Sequence, residues 1–253
     1  MLPRTPSYRL DGKRAVVIGG SRGIGLGCAV ALAEQGASVV IVARSKVQVF
    51  ETVNEMKSEG FSVSGAPMDV SIIDNVKNLM GEYSDIDILV NSAGIARHTP
   101  TVDTTELDFD DVMSVNVRSA YFLAQSAAKQ MISKGTGGSI IQISSQMAHV
   151  GGIDRAVYCG TKHAIEGINK SMAIEFGPYK IRVNSICPTF IRTPFTEPTF
   201  KDLEKVKWIE SKIKVGRVGE VEDIMGAVKF LASDVSAMVT GSSILIDGGW
   251  TAG

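Results

Sequence analysis

The chain has 253 residues, of which 44% are apolar and 21% are charged. Its formal net charge of −1, from 26 basic and 27 acidic side chains, excludes a disordered chain and argues against a nucleic-acid partner. No apolar run approaches the ~18 residues of a membrane span, and the first ten residues lack the apolar stretch of a signal peptide. Three cysteines without a C-x-x-C spacing predict reduced thiols, and three histidines without ligand spacing predict no metal site. We therefore expect a cytoplasmic protein.

Short β-branched runs alternate with longer segments of helical period along the whole chain. The predicted strands are Arg14–Ile18, Ser38–Val42, Phe61–Ala66, Ile86–Val90, Ser139–Ile143, Ile181–Ile186 and Ser243–Ile246. The predicted helices are Gly23–Gln35, Lys46–Glu59, Ser71–Glu82, Glu106–Lys134, Tyr158–Phe176 and Val221–Ala232. Most strands are apolar on both faces, as in the centre of a parallel sheet. The pattern predicts an α/β fold: a doubly wound, seven-stranded parallel sheet with helices on both faces (Rossmann-like), forming a single domain over residues 1–253.

One segment interrupts the alternation of strands and helices. Thr189–Gly216 follows a predicted strand, carries Pro194 and Pro198, and then becomes charged and amphipathic. Open α/β sheets bind ligands beyond the carboxyl ends of their strands, so a long insertion at such an end is placed to cover the site. We predict that residues 189–216 form a substrate lid. An ordinary surface excursion is the alternative.

A glycine-rich turn directly follows the first predicted strand and opens the first helix. Its residues are Gly19, Gly20, Ser21, Arg22, Gly23, Ile24 and Gly25. Such glycines let the backbone approach a pyrophosphate, and the helix N-terminus offers free N–H groups to the phosphates. The spacing is G-x3-G-x-G and differs from the common G-x-G-x-x-G, so position after the first strand carries the prediction. A plain tight turn remains the alternative.

The end of the second predicted strand predicts which dinucleotide binds. An NAD site usually has Asp or Glu there for the ribose 2′-hydroxyl, whereas this chain has Ala43 followed by Arg44. Together with Arg22 in the glycine turn, Arg44 suits a 2′-phosphate, because guanidinium groups form charge-assisted contacts with phosphate. The sequence favours NADP(H) over NAD(H). Two solvated surface arginines are the alternative.

Tyr158 and Lys162 are four residues apart on a predicted helix, so both side chains lie on one face. Ser145 stands just past the carboxyl end of a predicted strand, at the edge where ligands bind. A serine, a tyrosine and a lysine on the cofactor side of one sheet form a coherent acid/base group.

With these motifs, the chain resembles the short-chain dehydrogenase/reductase family over essentially its whole length. The matching positions are Gly19–Gly25, Asp69, Val70, Asn91, Ser92, Ala93, Gly94, Asn116, Ser145, Tyr158, Lys162, Pro188, Ile191, Thr193 and Asp247–Gly249. The resemblance implies that Tyr158 is the general acid/base, that Ser145 holds the substrate oxygen, and that Lys162 binds the nicotinamide ribose and lowers the tyrosine pKa. It further implies that Asn116 anchors a water-linked proton relay.

The same resemblance implies the cofactor contacts. Asp69 and Val70 would flank the adenine, and Asn91, Ala93 and Gly94 would line the floor of the site. Ile191 and Thr193, just after Pro188, would meet the nicotinamide carboxamide.

Three positions depart from the family pattern. Ile18 replaces a threonine before the first glycine, and Ser92 replaces the second asparagine of Asn-Asn-Ala-Gly. Thr189 replaces the glycine after Pro188 and places a side chain beside the nicotinamide. We expect Ser145, His149 and Thr189 to contact substrate, with Gln146 and Arg155 as further polar groups.

The predicted function is an NADP(H)-dependent oxidoreductase that moves hydride between the nicotinamide and a small polar carbonyl or secondary alcohol of the sugar, polyol or keto-acid type. The alternatives are a 3-oxoacyl-thioester reductase, favoured by the basic segment 201–217, and a non-catalytic NADP(H) sensor, disfavoured by the intact acid/base group. A nucleotide-sugar epimerase, which shares Tyr-x3-Lys, would need a separate substrate domain.

From the resemblance we expect a homotetramer with D2-like symmetry.

Overall fold

Seven strands form one parallel sheet in the computed structural model, which describes residues 2–253. They are β1 (Arg14–Ile18), β2 (Ser38–Ala43), β3 (Val63–Pro67), β4 (Ile88–Asn91), β5 (Gly138–Ile143), β6 (Ile181–Pro188) and β7 (Ser243–Ile246). Their spatial order is β3-β2-β1-β4-β5-β6-β7. This topology confirms the predicted doubly wound α/β fold, although β3 begins two residues after the predicted start at Phe61.

Helices cover both faces of the sheet. They are α1 (Gly23–Glu34), α2 (Lys46–Ser58), α3 (Ile73–Glu82), α4 (Glu106–Met113), α5 (Ser119–Lys134), α6 (Ala156–Phe176), α7 (Glu197–Phe200), α8 (Leu203–Lys212) and α9 (Glu222–Ala232). The single helix predicted over Glu106–Lys134 is α4 and α5 joined by a π-helical turn, Ser114–Arg118. No helix within residues 2–253 is both long and apolar enough to cross a bilayer.

The two core layers follow from the alternation of side chains along each strand. In β1, Ala15 and Val17 face the layer built with α1, α2 and α9, whereas Val16 and Ile18 face the layer built with α3, α5 and α6. Every residue of β1 from Ala15 onward is therefore buried, which explains why the strand is apolar on both faces.

The strand order reverses between β1 and β4, whose chains continue to opposite sides of the sheet. At such a reversal the connecting loops diverge and leave a crevice beyond the carboxyl ends of the strands. A cavity of about 740 Å³ lies there, lined by the loops after β1, β2, β3, β4, β5 and β6.

Candidate active site

The glycine turn brings backbone close to the floor of the cavity. Gly19 has φ +74°, and a Cβ there would lie 3.1 Å from the backbone of Ser92 and Ala93. A Cβ on Gly25 would lie 2.1 Å from the carbonyl oxygen of Gly19. Only glycine at both positions lets α1 start this close to the end of β1.

The N-terminus of α1 faces the cavity with its backbone groups free. Gly23, Ile24 and Gly25 line the cavity, as do Gly19 and Ser21. Arg22 is the N-cap and makes no side-chain capping bond, and the first turn holds no acidic residue. Unpaired N–H groups and the positive end of the helix dipole make this turn suitable for a phosphate.

Two arginines stand at the end of the cavity next to β2. Arg22 and Arg44 both line it, and none of the ion pairs within residues 2–253 includes either of them. Asp69 lies near Arg44, but its carboxylate accepts bonds from the backbone N–H of Ser71 at 2.9 Å and from the Ser71 hydroxyl at 2.7 Å. Burial raises the pKa of Asp69, but these bonds prevail and the net pKa is lowered. Asp69 is therefore anionic and held by Ser71, and both guanidinium groups remain available to an anion.

Ser145 and Tyr158 meet on the opposite wall of the cavity. Ser145 follows the last residue of β5 by two positions, and its Oγ accepts a bond from the N–H of Met147 at 3.1 Å. Burial raises the pKa of Tyr158, and the neighbouring Ser145 hydroxyl acts in the opposite direction. The tyrosine hydroxyl thus keeps its proton at neutral pH in the cofactor-free protein.

Lys162 is buried one helical turn after Tyr158. Its ammonium donates to the carbonyl oxygen of Ile143 at 3.0 Å and lies 5.6 Å from the centre of the Tyr158 ring. Burial lowers its pKa from 10.5 to about 8. The bond to the end of β5 fixes the amine beside the tyrosine and leaves its remaining N–H groups for a ligand.

Asn116 ties three segments together from the π-helical turn. Its Oδ1 accepts from the N–H of Ile95 at 2.8 Å, and its Nδ2 donates to the Ile95 carbonyl at 2.9 Å and to Thr161 Oγ1 at 3.2 Å. The Thr161 hydroxyl donates in turn to the carbonyl of Tyr158 at 2.7 Å. The Asn116 side chain does not line the cavity: it positions the loop after β4 against α6.

The residues predicted for the cofactor floor divide in the same way. Ala93 and Gly94 line the cavity, whereas Asn91 is buried behind it. Its amide donates to Gln142 Oε1 at 2.8 Å, and its Oδ1 accepts from the N–H of Ala93 at 3.2 Å. Asn91 therefore holds the floor rather than forming its surface. The remaining predicted cofactor residues all line the cavity, namely Val70, Asp69, Pro188, Ile191 and Thr193.

The substrate residues predicted from sequence fare unequally. Ser145 and Thr189 line the cavity, but His149 is exposed outside it, and its ring lies within 4.8 Å of Glu166 and Cys187. His98, a residue the sequence analysis did not place in the site, lines the cavity beside Arg155. The only sequence signal for His98 is its place in the loop after β4, at the sheet edge where ligands bind.

The residues present fit a dinucleotide that carries an additional phosphate. The backbone cradle of Gly19 and Gly25 accepts a group that a Cβ would exclude, and the free N–H groups of α1 face the same space. Arg22 and Arg44 supply two cations without an ion-pair partner within residues 2–253, next to Ala43 at the end of β2. The cavity then continues to Tyr158 and Lys162.

Comparison with known proteins assigns the chain to a family of enzymes. A family model described as enoyl-(acyl carrier protein) reductase matches residues 18–251. The chain is 37% identical over 250 residues to 2-dehydro-3-deoxy-D-gluconate 5-dehydrogenase of Escherichia coli, covering 97% of this chain and 98% of the relative. It is 36% identical over 244 residues to L-xylulose reductase of Bos taurus, with 96% and 98% covered.

A solved structure agrees with these relatives. The gluconate 5-dehydrogenase of Burkholderia cenocepacia, crystallised in complex with NADP and tartrate, superimposes with a TM-score of 0.94 at 34% identity. The match covers 97% of this chain and 98% of that one. The chain is therefore similar to these dehydrogenases both in sequence and in fold, over nearly the whole length of each.

Proposed function

Because the chain belongs to the short-chain dehydrogenase/reductase family, we propose that it is an NADP(H)-dependent oxidoreductase acting on a small polar carbonyl or secondary alcohol. The substrate is of the sugar, polyol or keto-acid type. The observation that carries this proposal is the convergence of Ser145, Tyr158 and Lys162 on one wall of the cavity whose other end is the glycine cradle. Relatives that act on gluconate derivatives and xylulose support the same substrate range.

The proton chemistry follows from the environment of Tyr158. In the reducing direction, the hydroxyl of Tyr158 gives its proton to the carbonyl oxygen, and Ser145 Oγ orients that oxygen and stabilises its developing charge. Nicotinamide supplies or accepts the hydride when the cofactor is bound. In the oxidising direction Tyr158 accepts the proton, and the charge of Lys162 favours its phenolate. An ammonium ~4 Å from a phenolate stabilises the phenolate by up to ~4 kcal/mol at an effective dielectric constant of ~20.

NADP(H) is the cofactor that the adenine end favours. Arg22 and Arg44 face the space beyond β2, and Ala43 replaces the acidic residue that would repel a 2′-phosphate. A bidentate guanidinium contact to phosphate is both charge-assisted and geometrically specific. The relative from Burkholderia cenocepacia, whose complex holds NADP, supports this choice.

One observation favours a second substrate class, the 3-oxoacyl thioesters of acyl carrier protein. Helix α8 and its flanks carry Lys201, Lys205, Lys207, Lys212 and Lys214, and acyl carrier proteins are acidic. Two of these lysines are already paired, Lys201 with Glu197 and Lys207 with Glu204. The pairing reduces the net attraction of this surface for an acidic partner, so we place this substrate class second.

A panel of substrates distinguishes these possibilities. Oxidation of NADPH is followed with keto sugars, 2-keto acids, an acetoacetyl thioester and a steroid ketone. We expect the highest kcat/KM for a polar compound. A kcat/KM for the thioester tenfold above every polar compound would overturn the substrate assignment, and the absence of turnover with every compound would leave an NADP(H) sensor.

The assembly is proposed to be a homotetramer. An open groove between α5 and α6 is lined by Tyr121, Gln125, Ile168 and Phe176, and these partly apolar helix faces suit contact with another copy. Light scattering should give four times the 27.0 kDa of one chain. A monomer at micromolar concentration would refute the proposal.

Residues 189–216 are proposed to act as a lid. Thr189, Pro194, Phe195 and Thr196 line the cavity, and α7 and α8 follow them directly in the chain. We expect bound NADP+ together with substrate to slow tryptic cleavage within 201–214.

We also propose a cytoplasmic location, which the three unpaired thiols of Cys28, Cys159 and Cys187 support.

A further inference from the structure

Arg155 is placed three residues before Tyr158, where the chain enters α6. It is partly buried, it lines the cavity, and its guanidinium lies 5.5 Å from the centre of the Phe190 ring. The positive charge of Arg155 is among the influences that lower the pKa of Tyr158. The guanidinium is thus close to the position where the reacting carbonyl must lie.

This cation has no carboxylate partner within residues 2–253. None of the ion pairs of that part of the chain includes Arg155. Its one hydrogen bond to those residues runs from Nη1 to Nε2 of His98 at 3.2 Å. The charge of the neighbouring Asp154 acts on Arg155, but the two side chains form no ion pair. A partly desolvated cation without a directly bonded counter-charge is costly unless a ligand supplies one.

His98 does not supply that counter-charge. Burial lowers its pKa from 6.5 to about 4, and the charges of Arg155 and Lys205 act in the same direction. The imidazole is therefore neutral at physiological pH and accepts the bond from Arg155 at Nε2. It orients the guanidinium and leaves Nε and Nη2 available, because its bond uses Nη1 alone.

The adjacent wall holds further polar atoms that have no partner. Both amide atoms of Gln146 and the hydroxyl of Thr189 are buried and unbonded within the described part of the chain, and both residues border the cavity. Buried donors and acceptors without partners are destabilising unless a ligand satisfies them. The hydroxyl groups of a ligand can both donate and accept, so they would supply partners for Gln146 and Thr189.

We propose that Arg155, oriented by His98, binds a carboxylate of the substrate, and that the substrates are therefore sugar acids and their keto derivatives rather than neutral sugars. The inference rests on the proposed oxidoreductase function and narrows its substrate class. Gln146 and Thr189 then bind hydroxyl groups of the same molecule, while Ser145 and Tyr158 hold the reacting oxygen. The cavity carries unpaired guanidinium groups at both ends, one end for the cofactor phosphate and the other for the substrate carboxylate.

The chain offers a matched control for Arg155. Arg14 also lies against an aromatic ring, 5.9 Å from the centre of Tyr83. It differs in pairing with Asp85 at 2.8 Å, in not lining the cavity and in standing at the first residue of β1. Arg14→Gln therefore removes the same charge without touching the proposed carboxylate site or the proposed lid.

The first test measures binding. Calorimetry compares D-gluconate with its amide and with sorbitol as probes of the enzyme–NADPH complex. We expect gluconate to bind at least tenfold more tightly than either neutral probe, and Arg155→Gln to weaken gluconate by 10- to 100-fold, as for the loss of a charge-assisted bond. Arg155→Lys should retain part of the affinity, and Arg14→Gln should retain all of it. Equal binding of the three probes, or loss of gluconate affinity in Arg14→Gln alone, would overturn the inference.

The second test uses turnover and separates the two proposals. Arg155→Gln should raise the KM of a keto acid by 10- to 100-fold while kcat and the Kd of NADPH change less than about threefold. A neutral ketose that wild type reduces as well as the keto acid would contradict the carboxylate site and leave the oxidoreductase intact. Arg155-dependent gluconate binding without turnover of any compound would contradict the oxidoreductase and leave the carboxylate site intact.

Discussion

The two walls of the cavity differ in how their polar side chains are satisfied. On the wall of Tyr158 and Lys162, the protein itself bonds the polar side chains: Lys162 donates to the end of β5, and Asn116, buried behind this wall, makes three hydrogen bonds that hold α6 and the loop after β4. On the wall of Gln146 and Thr189, both side chains are buried without partners in the described residues, and nearby Arg155 has no ion pair there. In the proposed assignment, the protein itself fixes the groups that act on every substrate, whereas a bound substrate supplies the missing hydrogen-bond partners of the groups that select it.

The largest effect should come from removing the proton donor on the satisfied wall. Tyr158→Phe deletes the hydroxyl and preserves the ring, so we expect kcat to fall by ~10²–10⁴-fold, the usual contribution of a general acid. Steady-state kinetics measures this loss. The Kd of NADPH serves as the control and should stay within about threefold of wild type; retention of more than a tenth of the wild-type kcat would show that another group donates the proton.

Two buried asparagines test whether bonding to the protein stabilises the first wall. Asn116 is 3% exposed and makes three hydrogen bonds, while Asn169 is 2% exposed and has no partner in the described chain. Asn116→Leu should lower the free energy of unfolding by ~2–4 kcal/mol because it leaves the N–H and C=O of Ile95 unpaired. Asn169→Leu should change it by less than about 1 kcal/mol or raise it. Denaturant unfolding measures both, and equal losses would contradict the comparison.

Arg44, at the adenine end of the cavity, is a further cation without an ion pair in the described residues and extends the comparison to the cofactor. Arg44→Ala should weaken NADP(H) by ~10–100-fold, since charge-assisted bonds contribute ~1.5–3 kcal/mol, and should leave NAD(H) nearly unchanged. Fluorescence titration with the two reduced cofactors gives the two Kd values. Equal affinity of wild type for both cofactors would show that Arg22 and Arg44 do not recognise a phosphate.

The smallest expected effect concerns pH and His98. Its pKa is lowered to about 4 by burial and by neighbouring cations, so the neutral form prevails above pH 5 and the imidazolium forms only as pH falls through 4. The KM for an anionic substrate should therefore follow the same pH profile in wild type and in His98→Gln between pH 5.5 and 8. A step near pH 6.5 present in wild type and absent from the variant would show a titrating His98.

The sequence predicts the satisfied wall better than the open one, for a physical reason. The fold follows from strands that are apolar on both faces, and Tyr158 and Lys162 share a helix, so their proximity follows from a four-residue spacing. The π-helical turn at Asn116 was not predicted, because one extra residue per turn leaves the apolar pattern of Glu106–Lys134 nearly unchanged.

The open wall depends on contacts that no local pattern records. His98 and Arg155 are 57 residues apart in two irregular segments, and only the folded chain brings Nη1 of one to Nε2 of the other. His149, four residues after Ser145, was predicted to contact substrate from its place in the sequence. The chain turns after Ala148 and places its ring beside Glu166 and Cys187 instead.

A crystal structure of the ternary complex with NADP+ and D-gluconate tests the central claim most directly. The account predicts that the carboxylate lies within hydrogen-bond distance of Nε or Nη2 of Arg155, that hydroxyl groups bond Gln146 and Thr189, and that one carbinol oxygen lies between Ser145 Oγ and the Tyr158 hydroxyl. A carboxylate directed to solvent, with Gln146 and Thr189 still unbonded, would contradict it.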